Sequence, residues 1–193
     1  MKEKEGMTNG TMNTHERPTA RAHREIAAVL REGDAAVDAT AGNGHDTVFL
    51  AKLVGAAGKV IAFDVQEQAI ASTRERLAAE ELLDRVELVH GSHGRIADHA
   101  AAGSVGAVMF NLGYLPGADH AVITRTDETL QALEGALGLL RPGGILTVVC
   151  YPGHAGGDEE SAAVVAWAEK RSAEIFRRLD TLKPAPFLVV VRA

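Results

Sequence analysis

Between positions 38 and 47 the chain reads Asp38-Ala39-Thr40-Ala41-Gly42-Asn43-Gly44-His45-Asp46-Thr47, a pair of glycines flanked by carboxylates. Glycine lets a backbone take positive φ and come close to a ligand. A helix opening at His45 would offer, just behind that turn, unpaired N–H groups and a partial positive charge. Twenty residues beyond Gly44, the apolar run Val60-Ile61-Ala62-Phe63 ends in Asp64. A carboxylate there can accept hydrogen bonds from ribose hydroxyls. Gly42, Asn43, Gly44, Asp46, Asp64 and Gln66 are therefore the expected contacts of an adenosine-type cofactor.

A dinucleotide fingerprint requires a further glycine three residues after the second, for close packing beside a pyrophosphate. Thr47 occupies that position. Asp38 is equally foreign to such a loop, because a carboxylate repels phosphates, whereas it suits a ligand carrying an ammonium and a sulfonium. NAD is disfavoured on both counts. The acidic, glycine-pinched turn with Asp64 resembles the S-adenosyl-L-methionine site of Rossmann-like methyltransferases. Their usual pattern places glycines at alternate positions after the acid; Thr40 stands at the first, and Gly42 and Gly44 fill the others. The resemblance implies S-adenosyl-L-methionine as cofactor, with Ser92 or His93, after the third strand, meeting the adenine edge.

Strands and helices must alternate to hold these residues. Strands are expected near 35–39, 59–64, 86–90, 105–111 and 144–151, and helices near 18–31, 45–54, 67–80, 95–101, 126–140 and 157–172. Final strands near 174–180 and 186–192 flank the Lys183-Pro184-Ala185-Pro186 break. The expected fold class is α/β, a doubly wound, mostly parallel seven-stranded sheet with a C-terminal antiparallel hairpin. Leu140-Arg141-Pro142-Gly143-Gly144 is a helix exit common in that superfamily, and equally a plain C-cap with breakers. Residues 1–16 are polar and read as a flexible tail, leaving 17–193 as one domain.

Composition excludes several classes. Hydrophobic residues are 46% and charged ones 24%, ordinary for a globular domain. No apolar run reaches the roughly 18 residues of a membrane span, and the start has no apolar core of an export signal. One cysteine excludes an internal disulfide, so the expected setting is the cytoplasm. The eight histidines show no metal-ligand spacing, so no metal is expected. Cys150 ends an apolar strand and reads as a small packed residue, not a nucleophile.

After the fourth strand comes Asn111-Leu112-Gly113-Tyr114-Leu115-Pro116-Gly117. It is similar to the Asn/Asp-Pro-Pro-aromatic loop of amino-group methyltransferases, with Leu112 and Gly113 in place of the prolines. Four blocks, Asp38–Ala51, Asn111–His120, Thr124–Leu133 and Tyr151–Glu160, identify the chain as resembling the putative rRNA methylase family. That family includes the Gram-positive methyltransferase completing 5-methylaminomethyl-2-thiouridine at the tRNA wobble position. Two departures are modest: the N-terminal tail is longer than the family needs, and Lys183–Phe187 lacks a second consecutive proline.

The resemblance implies an S-adenosylmethionine-dependent N-methyltransferase on RNA, with the tRNA anticodon region as partner and a homodimer left open. Asn111 and Tyr114 would then grip the acceptor, Asn111 by its carbonyl and Tyr114 by stacking on the base. An aminomethyl group must lose a proton before attack. His154 is the preferred base, with His120 and Asp119 as alternatives. Methylation of rRNA or of a small amine, or cofactor binding without catalysis, are the competing readings. The net charge of −6 requires basic residues to be gathered locally; Arg21, Arg24, Arg31, Arg171, Arg177 and Arg178 are the candidates.

Overall fold

The computed structural model describes residues 8–11, 16–113, 126–153, 156–178 and 184–193. Its elements are β1 (Thr8–Thr11), α1 (Pro18–Ala27), β2 (Ala35–Asp38), α2 (His45–Val54), β3 (Lys59–Asp64) and α3 (Glu67–Ala79), then β4 (Val86–His90) and β5 (Val105–Leu112). There follow α4 (Thr126–Leu139), β6 (Leu140–Cys150), α5 (Gly157–Ala168), β7 (Ala173–Arg177) and β8 (Phe187–Arg192). The strand order is β1-β7-β8-β6-β5-β2-β3-β4. β8 runs antiparallel to both its neighbours and every other pairing is parallel. This is the expected doubly wound sheet closed by a hairpin, with one edge strand added.

That addition lies within the stretch read as a flexible tail: Thr8–Thr11 pair with Glu174–Arg177 of β7. A polar segment with no apolar periodicity carries no strand signal in the sequence. Two other boundaries differ. The expected helix near 95–101 is a 3₁₀ segment, His93–Asp98, kinked at Arg95. β6 starts at Leu140, directly after α4, but only Leu140 and Ile145–Cys150 pair with β5, so Arg141-Pro142-Gly143-Gly144 bulges from the strand instead of capping a helix. Arg141 explains this. Its guanidinium donates to Asp34 at 2.7 and 3.3 Å and to the Val29 carbonyl at 3.2 Å. Gly106 leaves room for the staple, since a Cβ there would come 2.7 Å from Asp34 Oδ2.

Each face of the sheet carries a core. Phe63, Phe110, Leu112 and Leu146 pack with Leu133 and Ala136 of α4 and with Val164 and Trp167 of α5. Ile26 of α1, Leu50 and Val54 of α2 and Leu77 of α3 pack over Met109, Ile145 and Val149 on the other. Being covered on both sides, β5 is apolar almost throughout. β2 pairs with both β3 and β5. The chain winds outward from it in both directions, so its carboxyl end opens the crevice where α/β sheets bind ligands.

Candidate active site

The turn after β2 spans that crevice. Ala39 N donates to Met109 O of β5 at 2.9 Å, and Ala41 N to Phe63 O of β3 at 2.8 Å. Gly42 and Gly44 follow with φ of 52° and 79°, and α2 begins behind them with no side-chain cap on its N–H groups. Gly42 N donates to Asp64 Oδ2 and Gln66 N to Asp64 Oδ1, both at 2.9 Å. Asp64 thus clamps the turn to β3, and each oxygen keeps a lone pair for a ligand.

Asp38 does not face a ligand, contrary to the sequence reading. It is fully buried, with Oδ1 accepting from Thr40 N at 3.0 Å and Oδ2 from Thr47 Oγ1 at 2.6 Å. Its role is to staple strand to helix, which is also why Thr47 is not glycine. Burial, reinforced by Asp46, raises its pKa to about 7 against the pull of the Thr47 and Thr40 bonds.

Gly44 is a second correction. The space its missing side chain leaves is taken by α3: a Cβ would lie 2.9 Å from Thr73 Cα. Thr73 Oγ1 donates to Gly42 O at 3.0 Å and Arg76 Nε to Asn43 O at 2.6 Å, so α3 holds the outside of the turn. An open cavity of about 450 Å³ along α3, lined by Asn43, Ser72, Glu75 and Arg76, lies on that outer side.

Beyond β4, Ser92 is committed internally. Its hydroxyl donates to Glu128 at 2.7 Å and accepts from Gly94 N at 3.1 Å. His93 is different. It is buried and its Nδ1 bonds the Ala39 carbonyl at 3.0 Å, so that nitrogen carries the proton. Nε2 is then a buried lone pair with no partner among the described residues. Burial lowers the pKa of the ring, although the Ala39 bond, Glu128 and Asp64 pull it upward.

Asn111, at the end of β5, sits across the crevice. Its backbone N donates to Thr40 Oγ1 at 2.8 Å, tying β5 to the glycine turn. Its Nδ2 donates to Asp46 Oδ2 at 3.2 Å, and among the described residues the buried Oδ1 has no hydrogen-bond partner. Asp46 Oδ1 in turn lies 2.6 Å from His23 Nε2, whose ring stacks on Phe49 at 3.8 Å. Tyr151, directly after β6, completes the group: a Cβ on Gly113 would come 3.2 Å from its ring, so the ring packs closely on that glycine. Burial raises the Tyr151 pKa, as does Asp46, while the Asn111 side chain lowers it.

Sequence reasoning missed Thr40, His23 and Tyr151 as site residues. Tyr151 follows an apolar strand and so had a positional signal; His23 had none. Tyr114, Asp119, His120 and His154 lie outside the described residues. Cys150 is buried, and burial pushes its thiol pKa far upward, with Glu160 adding to the shift. The candidate basic face is partly spent: Arg21 bonds Glu25, Arg24 bonds Glu16 and Arg171 bonds Glu134.

Residues 60–188 match the family described as Putative rRNA methylase. The chain belongs to that family. A putative rRNA methylase of Clostridium thermocellum is 40% identical with a TM-score of 0.88, over 94% of this chain and 100% of that one. A putative methyltransferase of Streptococcus mutans, solved in complex with SAH, is 37% identical with a TM-score of 0.82, over 92% and 98%. The chloroplastic tRNA (mnm(5)s(2)U34)-methyltransferase of Arabidopsis thaliana is 39% identical over 169 residues, 82% of this chain. The chain spans 61% of that relative's length.

Among the described residues, no helix is long and apolar enough to cross a membrane.

Proposed function

We propose that this protein is an S-adenosylmethionine-dependent N-methyltransferase acting on the aminomethyl group of a tRNA wobble uridine, giving 5-methylaminomethyl-2-thiouridine. The observation that carries the reading is the Asn111 amide. It is held by Asp46 with its carbonyl oxygen unpartnered, at the strand end beside the glycine turn. An acceptor that donates N–H to that oxygen has its lone pair aimed away from Asn111.

The residues present fit the cofactor. Asp64 keeps lone pairs for a ribose diol, and the His93 Nε2 lone pair suits an adenine amine. Val65, 51% exposed beside Asp64, offers an apolar surface to a base. The uncapped start of α2 suits a carboxylate. When bound, S-adenosylmethionine supplies an electrophilic methyl group for in-line transfer. The protein's contribution is alignment and exclusion of water, the larger share of such a rate enhancement. Thr40 fixes the distance between the cofactor turn and the Asn111 loop, and Tyr151 walls the crevice on the β6 side.

The wobble uridine is favoured over rRNA by likeness to the Arabidopsis tRNA methyltransferase. An amine is favoured over a ring carbon because the Cys150 thiol is buried and held protonated. Nucleoside mass spectrometry of tRNA from a strain lacking the gene tests this. Accumulation of 5-aminomethyl-2-thiouridine, reversed by the wild-type gene but not by Asn111→Ala, is expected. An unchanged wobble nucleoside would move the acceptor to rRNA or a small amine.

A further inference from the structure

The Asn111 carboxamide has two ends of similar shape, and its usefulness depends on which faces the acceptor. An ionised carboxylate only accepts hydrogen bonds. The end 3.2 Å from Asp46 Oδ2 is therefore the NH₂ group, and the carbonyl oxygen is the end left over. Asp46 is itself held. His23 Nε2 lies 2.6 Å from Oδ1, so the two carboxylate oxygens each face one donor. The His23 ring is in turn fixed by stacking on Phe49, with planes 5° apart. His23 comes from α1 and Phe49 from α2, while Asn111 is the penultimate residue of β5. Packing of α1 on the sheet is thereby coupled to the orientation of an amide in the crevice.

We propose that His23 and Asp46 are positioning residues that set the rotamer of the Asn111 amide, so that its carbonyl oxygen and not its NH₂ group meets the acceptor amine. This rests on the reading of Asn111 given under Proposed function. Without His23, Asp46 Oδ1 loses its donor, and the carboxylate can turn to find another. Asn111 Nδ2 then loses its fixed carboxylate acceptor, and with the Tyr151 hydroxyl, which can donate as well as accept, as its remaining neighbour the amide populates the flipped rotamer. A flipped amide presents N–H to an amine that needs a hydrogen-bond acceptor, and alignment for in-line transfer is lost. His23 reaches the crevice through Asp46 Oδ1, the oxygen that does not face Asn111, and is thereby assigned the acceptor side and not cofactor affinity.

The test compares full-length wild type with His23→Leu, His23→Gln and His23→Asn. The Gln amide nitrogen reaches about where imidazole Nε2 sits; the Asn nitrogen stops short, although both keep a polar surface. Single-turnover methylation at saturating cofactor and RNA is expected to fall at least about tenfold in the Leu and Asn variants and to recover in Gln. S-adenosylmethionine affinity by calorimetry is expected to stay within about twofold throughout, since the pair acts on Asn111. The second readout needs no RNA and no turnover. The Asn111 side-chain NH₂ signals in a nitrogen–proton correlation spectrum, assigned with Asn111→Asp, are expected to exchange slowly in wild type and Gln and quickly in Leu and Asn. A wrong acceptor would void the first readout and leave the second intact. Slow exchange in all variants would overturn the proposal, as would a loss of cofactor affinity matching the loss of rate.

Discussion

Asp64 and Asn111 stand at the ends of neighbouring halves of the sheet, and the proposed function gives each a separable task. Asp64→Ala removes ribose contacts worth about 1.5–3 kcal/mol each together with the clamp on Gly42. Calorimetry is expected to give more than tenfold weaker cofactor binding; an unchanged dissociation constant would place the ribose elsewhere. Asn111→Ala should instead leave cofactor affinity nearly intact and depress the single-turnover rate by about a hundredfold, the cost of lost alignment. A fall in affinity with an unchanged rate would exclude the amine-orienting role. The positions of both residues were legible in the sequence, because a polar residue closing an apolar strand in a wound sheet falls at the carboxyl edge. Asp38 was legible as a residue and misread as a role. Its type suits a cationic ligand, but only tertiary burial reveals that both its oxygens are consumed inside the turn. His23 was not legible at all, since its partner lies on another helix and nothing local marks the contact.

Helix α3 has more to do with the glycine turn than its sequence suggests. It donates to the carbonyls of both Gly42 and Asn43 and occupies the space beside Gly44. Gly44→Ala should therefore destabilise the fold itself: about 1–2 kcal/mol for a side chain in left-handed backbone, plus the clash with Thr73. Thermal denaturation without cofactor is expected to register this loss. An unaltered melting temperature with abolished cofactor binding would restore the ligand-clearance explanation. The wound strands and helices were readable from apolar runs and breakers, because each crossover carries its own periodicity. β1 and the start of β6 were not. β1 is a polar edge pairing, and β6 is extended by the Arg141–Asp34 staple, which joins residues 107 positions apart.

For the molecule as a whole, Asp38 and Asp34 pull stability in opposite directions with pH. The raised folded pKa of Asp38 gives a contribution fully present below the ordinary 3.8 and lost as pH rises through about 7. Asp34 is also raised by burial, but its bonds to Arg141 and Arg31 N outweigh that and lower its pKa. Its contribution is present above 3.8 and lost as pH falls through the lowered value. Asp38→Asn, whose amide can still bond Thr40 N while the Thr47 hydroxyl turns to accept, should gain stability relative to wild type as pH rises toward 7. A pH-independent difference between the two would mean that the Asp38 carboxyl is not strained by burial. The family and the wound fold followed from motifs spread along the chain, whereas the RNA-facing surface did not. Several of the arginines that looked available are paired with glutamates, and pairing of that kind is invisible in a composition. The central claim concerns what receives the methyl group. Purified protein with isotopically labelled S-adenosylmethionine and tRNA bearing 5-aminomethyl-2-thiouridine, digested and resolved by mass spectrometry, tests it directly. The label is expected on the exocyclic nitrogen of the wobble nucleoside, in wild type and in Cys150→Ala alike. Label on a ring carbon, or on no tRNA nucleoside while the protein still binds the cofactor, would contradict the account.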